Sequence, residues 1–297
     1  MRKREVYVDR EHLHRRYWDA AVGREKRRDR DPEKTVHTLL TWMEIEPFLQ
    51  SGISILDVGA GYGRYSLPLA RRGFHVTHLE FSSRMLEAAK HEARREGLSG
   101  IDFVSGKVQN LSRFPDRSFQ LSLALDAPVS YAYPEHGRAL SELARVTSEV
   151  LLFSVVNRSG QLPVAIGMEM RWNRSLQIAR TFLKTGNWDH PGLLEKFENR
   201  IPFFSRFIFP PLHAFTPEEI ADAIMERGFE IKRVSATGTL ARLVPPRALR
   251  RILKNQQLTE EFLELSRQYD SRFEVQGIGS RVASGLLIVA RRKHSGG

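Results

Sequence analysis

The stretch ILDVGAGYGRY, residues 55–65, places three glycines within five positions at the end of an apolar run. Glycine weakens a regular element, so its concentration here marks backbone that must turn sharply or be approached closely, where a Cβ would intrude. The preceding ISILDV reads as a strand buried on both faces, and the following YSLPLARRG as a short helix ending on Gly73. Strand, glycine turn and helix in that order make the ligand-binding corner of an open α/β sheet.

The alternation continues downstream. FHVTHLE is a second strand ending at Glu80, and SSRMLEAAKHEARREG a helix with a serine cap and a terminal glycine. IDFVSG and RSFQLSLALD are the third and fourth strands, EHGRALSELARVT a helix, and SEVLLFSVV the fifth strand. Such a chain is α/β, with a doubly wound, mostly parallel sheet. Over 157–213 the pattern breaks into aromatic and methionine clusters, MEMRWNR and PFFSRFIFPP, with no clear strand. TPEEIADAIMERGFEI restores it: Thr216 caps a helix, Pro217 takes its first position, and Glu219 stands where a capping box needs it. A strand, FEIKRVSATG, a helical insertion at 245–270 and a last strand, GLLIVARR, complete the expectation.

Composition excludes several chemistries. Without cysteine there is no disulfide, thiolate zinc site or cysteine nucleophile. No run of ~18 uncharged apolar residues exists, and the charged N-terminus lacks the apolar segment of a secretory signal, so a cytoplasmic protein with no membrane span is expected. The net charge, 46 − 35 = +11, favours nucleic acid or acidic partners. Its basic pairs, such as Arg27-Arg28, Arg71-Arg72 and Arg250-Arg251, are nevertheless scattered along the chain.

Spacing then separates two cofactor classes. A dinucleotide site has G-x-G-x-x-G, but the sixth position here is Arg64 and the third glycine stands at 63. Asp57, two residues before the turn, offers a carboxylate to an ammonium group, and Glu80, 21 residues after Gly59, can accept the hydroxyls of a ribose. A nicotinamide dinucleotide has no ammonium there, whereas the methionine moiety of S-adenosylmethionine does.

LDVGAGYGRYSLPLARRGFHVTHLEFSSRMLEAAK resembles the first two motifs of the class I S-adenosylmethionine-dependent methyltransferases, small-molecule type. FPDRSFQLSLALDAPVSY and ELARVTSEVLLFSV are similar to the family's fourth and fifth strands, and FTPEEIADAIMERGFEIKRV to its last helix–strand unit. The resemblance implies a seven-stranded Rossmann-like methyltransferase fold, with helical insertions after strand 5 and between strands 6 and 7. It implies an N-terminal lid segment at 1–34, a cofactor-binding core at 35–156, a substrate-side insertion at 157–213, and the rest of the core at 214–297. Gly59, Ala60, Gly61 and Gly63 would line S-adenosylmethionine, with Asp57 near its amino group, Glu80 on the ribose, and Phe81 and Met85 flanking the adenine. Lys107 stands where the family often has an acid for the adenine amino group. Lysine has no acceptor, which leaves that contact to the backbone of Lys107 and Val108 or to Gln109. Leu125 and Asp126 would sit by the transferable methyl.

The acceptor is less legible, because methyl transfer needs alignment and does not always need a base. DAPVSYAYPEH only partly echoes the (Asp/Asn)-Pro-Pro-(Tyr/Phe) element of amino-group enzymes, and Asp126 alone makes no metal site. Candidate catalytic groups are Asp126, Tyr131, His136 and His213, each histidine having an ordinary helix-start or loop role as its alternative. Tyr17 and Trp18, in RRYWDAA, fall in the segment that closes over the cofactor in similar enzymes, or else pack an amphipathic helix on the core. Met168, Met170, Trp172, Phe203, Phe204 and Phe207 would line a hydrophobic acceptor site, or form the insertion's own core or a homodimer face. Three functions follow: a methyltransferase acting on oxygen or nitrogen of a small molecule, an RNA methyltransferase, and a non-catalytic scaffold with the same fold.

Overall fold

Three helices precede the sheet: α1 (Arg10–Asp19), α2 (Val22–Arg28) and α3 (Pro32–Ile45). The Asp31 carboxylate caps α3 by accepting from the Glu33 amide at 2.9 Å, with Pro32 at the first helical position. The structure is a computed structural model, and it describes residues 10–172, 175–189, 210–236, 238–271 and 283–293.

The sheet begins with β1 (Ile55–Val58), in which all four residues are buried. It then alternates through α4 (Ser66–Arg71), β2 (Val76–Glu80), α5 (Ser83–Arg95), β3 (Ile101–Ser105), β4 (Phe119–Ala124), α6 (Pro128–Tyr131), α7 (His136–Val146) and β5 (Thr147–Val156). The insertion comprises α8 (Arg158–Trp172), α9 (Gln177–Thr185) and a two-stranded ribbon of β6 (Asn187–Trp188) and β7 (Leu212–His213). After it come α10 (Pro217–Met225), β8 (Phe229–Ser235), α11 (Thr239–Leu243), α12 (Pro246–Ile252), α13 (Gln256–Ser271) and β9 (Gly285–Arg292). The capping box at Thr216 and Glu219 forms as the sequence predicts.

The seven strands are ordered β3-β2-β1-β4-β5-β9-β8. β1 pairs in parallel with β2 on one side and β4 on the other, through Ile55↔Val76 and Ile55↔Leu121. Only β9 runs antiparallel, pairing Leu151↔Ala290 with β5 and Val234↔Ile288 with β8. The chain reverses its direction of travel across the sheet between β1 and β4, and a crevice must open beyond their carboxyl ends. The glycine turn and the Asp126 corner stand at that crevice, so topology alone brings them face to face.

Both sheet faces are covered. One core layer joins Leu56, Leu140 and Ile220, and another joins Ile45, Leu69 and Leu121. A separate cluster seats α3 on the second insertion through Val36, Leu40, Ala241, Leu249 and Phe262. The sequence indicates a helical insertion at 245–270 without indicating that it shares a core with α3. No helix among the described residues is long and apolar enough to cross a membrane.

Candidate functional site: a roofed cleft at the carboxyl ends of β1 and β4

The three glycines of the turn have different jobs. Gly59, Gly61 and Gly63 all adopt left-handed backbone, with φ of +66°, +59° and +95°. A Cβ on Gly59 would stand 2.8 Å from Pro128 Cβ, and one on Gly63 would stand 2.6 Å from Leu67 Cγ. A Cβ on Gly61 would meet nothing within 4 Å, and Gly61 lines a cavity of about 240 Å³. Gly61 therefore keeps space open for a ligand. Gly63 is not on the cavity wall; it lets the turn close on α4, a packing role the sequence reading did not separate from cofactor contact.

Two carboxylates flank this turn. Glu80 ends β2 buried, its Oε2 accepting from the Gly61 amide at 2.8 Å and its Oε1 from the Ser82 amide at 2.6 Å. Burial pushes its pKa up, while these amides oppose that shift. The fixed carboxylate has lone pairs left for ribose hydroxyls at the cavity wall. Asp57 is buried, and its Oδ2 accepts from Ser66 Oγ at 2.5 Å, with His78 Nδ1 2.9 Å behind that hydroxyl. Burial pushes its pKa up to about 7, and it lines the cavity without an ion pair among the described residues. A carboxyl in that state fits an incoming ammonium, which would restore its charge.

Phe81, Met85, Lys107, Val108 and Gln109 line the far end of the cavity, where the adenine is expected. The Lys107 ammonium forms an ion pair with Glu11 of α1, so α1 brings an acid beside the position after β3 where the chain itself has a lysine. α1 is strapped down further along. Arg15 Nη1 donates to the Phe81 carbonyl at 3.0 Å and its guanidinium lies 4.5 Å from the Phe81 ring centroid. The Asp19 carboxylate accepts from Ser82 Oγ at 2.6 Å and from the Arg84 amide at 3.2 Å.

Beyond β4, Leu125, Asp126 and Tyr131 lie on the cavity wall. Asp126 (φ +60°) is engaged by two cations: Lys34 Nζ donates at 2.6 Å, and Arg64 Nη1 donates to the other carboxylate oxygen. Arg64 also reaches Asp29 Oδ1 at 2.7 Å and Glu25 at 3.7 Å. Burial alone would raise the Asp126 pKa, but Lys34 and Arg64 hold it well below the usual carboxylate range. Asp126 is thus an anchor for α2 and α3, and its geometry disfavours the role of proton acceptor.

The two expected histidines meet each other instead of the cavity. Their rings stack 4.2 Å apart and 2° from parallel, and neither lines the cavity. His213 bridges Glu219 Oε1 at 2.9 Å and Asn187 Oδ1 at 2.6 Å. Burial and the His213 ring lower the His136 pKa to about 4. Tyr17 also stands off the wall, between Trp18 (5.2 Å) and the Arg24 guanidinium (4.5 Å). In the insertion, Met168 packs on a core of Ala165, Phe182, Trp188 and Leu212, while Met170 is exposed; neither reaches the cavity. Phe203, Phe204 and Phe207 lie outside the described residues, as does the side chain of Trp172.

On the cavity face of α1, Trp18 is where the sequence led one to look, and sequence reasoning missed Glu11 and His14 beside it. Their i, i+3, i+7 spacing was visible in EHLHRRYW, and it places all three on one side of a helix. It also missed Arg64 on the wall.

Strand order, glycine turn and the acid closing β2 are those of the class I S-adenosylmethionine-dependent methyltransferase fold, and S-adenosylmethionine is the cofactor that fits this cleft. Residues 55–149 match the family model described as a methyltransferase domain. The chain is 36% identical over 109 residues to the sterol 24-C-methyltransferase ERG6A of Gibberella zeae, covering 36% of this chain and 28% of that protein. It is 28% identical over 112 residues to a magnesium-protoporphyrin O-methyltransferase of Rhodobacter capsulatus, covering 38% of this chain and 49% of that one. The chain thus spans less than half the length of these curated relatives. Among solved structures, magnesium protoporphyrin IX methyltransferase ChlM of Synechocystis PCC 6803, with bound SAH, superposes with a TM-score of 0.55. That likeness covers 95% of this chain and all of the other at 15% identity. A methyltransferase of Methanosarcina mazei gives 0.52 at 20% identity, over 84% of this chain and 96% of that one.

Proposed function

We propose that the protein transfers the methyl group of S-adenosylmethionine to an oxygen or nitrogen of a small-molecule acceptor, by in-line displacement. The observation carrying this reading is the wall beyond Leu125. There Trp18 of α1, Tyr131 and Tyr133 line the cavity, and an aromatic wall suits a small, flat acceptor. The bound cofactor supplies a methyl carbon already activated by a sulfonium charge. The chain's own groups hold and enclose: Glu80 for the ribose, Asp57 for the ammonium, α1 against water, and the aromatic wall for the acceptor's orientation. Several arginines of the basic N-terminal helices are engaged in ion pairs, Arg15 with Glu11 and Arg28 with Glu25, which argues against an open RNA-binding groove.

The test uses S-adenosylmethionine labelled in its methyl group, incubated with the protein and either a low-mass metabolite fraction or total RNA. Label is expected in a low-mass product, with the linkage to oxygen or nitrogen read by mass spectrometry. Label in RNA, or on carbon, would overturn the acceptor assignment. Calorimetry decides the non-catalytic alternative separately, since a scaffold would take up no cofactor at ~1 mM, about −4 kcal/mol of binding free energy.

A further inference from the structure

Four residues of the cavity wall, His14, Tyr62, Arg64 and Tyr65, carry a buried polar side-chain atom without a hydrogen bond, and of these only the His14 imidazole is a nitrogen base with a lone pair to offer. His14, in the second turn of α1, is 7% exposed and lines the acceptor-side cavity with Trp18. Its Nε2 is buried and makes no hydrogen bond. Buried polar atoms are nearly always paired, and an exception at a cavity wall marks a place for an incoming partner. The ring stands edge-on to Tyr131, with centroids 6.5 Å apart, and Tyr131 in turn packs edge-on to Trp18 at 5.2 Å.

The other candidates at this end are engaged elsewhere. Asp126 holds Lys34 and Arg64, while Glu25 holds Arg28. Glu135 pairs with Arg138 at the solvent edge, and His136 and His213 stack away from the cavity. Burial pushes the Tyr131 hydroxyl well above its usual range, so it stays protonated.

We propose that His14 is the catalytic base, its Nε2 accepting the hydrogen of an aromatic hydroxyl seated against Trp18 and Tyr131. This inference rests on the methyltransferase reading above and adds the residue and the acceptor class. As the acceptor oxygen bonds to the methyl carbon, the carbon–sulfur bond breaks and its electron pair stays on sulfur, discharging the sulfonium. The hydroxyl proton passes to Nε2, and the imidazolium later releases it to water. Burial lowers the His14 pKa to about 4, so at neutral pH the imidazole is uncharged and retains a lone pair. The Pro211 carbonyl and the Asp189 carboxylate both act to stabilise the protonated ring, which suits a group that carries the proton only briefly.

The experiment compares phenol with anisole, which lacks the hydroxyl hydrogen, on ¹⁵N-labelled protein saturated with S-adenosylhomocysteine. Phenol is expected to shift the His14 side-chain nitrogen resonance and anisole to leave it in place. H14F, which keeps an aromatic ring against Tyr131, is expected to weaken phenol about tenfold and leave anisole as it was. If both probes move the resonance alike, or neither does, the proposal falls. The wild-type titration decides the matter even if H14F does not fold. Failure of S-adenosylhomocysteine to bind at all would overturn the methyltransferase reading itself. The phenol titration repeated without it still reports on His14, so the two failures are distinguishable.

Discussion

Gly61 and Gly63 sit two residues apart with similar backbone, yet substitution should separate them. Gly63→Ala drives a Cβ into Leu67, so a lowered melting temperature is expected, with cofactor affinity retained by the folded fraction. Gly61→Ala pushes its Cβ into open cavity, so calorimetry should show weakened S-adenosylhomocysteine binding with a smaller loss of stability. Equal effects on both measurements would contradict the division of roles. Glu80→Ala removes the expected acceptor of two ribose hydroxyls and a clamp on Gly61 and Ser82, and should weaken binding by about 1–3 kcal/mol. An unchanged dissociation constant would mean that the ribose lies elsewhere. At this scale the sequence was legible where a residue's job is local. Asp57, Gly61, Glu80, Phe81 and Met85 all reach the wall, because a strand end and its following turn determine where they point. His136 and His213 were plausible by type, and their mutual stacking depends on a contact across 77 residues that no local pattern encodes.

The N-terminal helices are tied to the end of β4 by Lys34, Arg64 and Asp126. Lys34 is 6% and Arg64 9% exposed, so removing their shared carboxylate charge leaves the buried Lys34 ammonium without its counter-ion and Arg64 with Asp29 and Glu25 alone. Asp126→Asn is expected to cost about 1–3 kcal/mol, less than a fully buried pair because Asp126 is itself 31% exposed. Trypsin should then cut after Arg27 or Arg28 in α2 sooner than in the wild-type protein. Wild-type melting and cleavage in that variant would show that α2 and α3 are held by their apolar faces alone. α1 reads as amphipathic from spacing, and either of its two sides would have served as the buried one. Its ion pair from Glu11 to Lys107 and its hydrogen bond from Arg15 to the Phe81 carbonyl turn His14 and Trp18 toward the cleft.

Across the whole molecule, buried imidazoles dominate the response to mild acid. Desolvation lowers His14 to about 4 and His37 and His78 to about 3, from 6.5. Unfolded chains bind protons at these positions below about pH 6.5 while the folded protein does not, so stability falls as pH drops from there toward 4. Asp57 opposes this: raised from 3.8 to about 7, it holds a proton in the folded state over the same window and gains stability as pH falls. His136, also lowered to about 4, acts with the other imidazoles, and Glu80, pushed up by burial, acts with Asp57; four imidazoles outweigh two carboxyls. The urea midpoint should therefore be lower at pH 5 than at pH 7, and an equal or higher midpoint at pH 5 would contradict the buried neutral state of these histidines.

By itself the sequence determined the alternating α/β class, the switch-point turn and the cofactor, since each rests on contacts within a strand, a turn or the strand next along. Only the tertiary structure decided what roofs the cleft, that α3 shares a core with α11 to α13, and which histidine lines the cavity. Those outcomes depend on which of several similar apolar and charged faces meet. That choice is made by packing and ion pairing between residues such as Glu11 and Lys107, 96 positions apart, where periodicity carries no information.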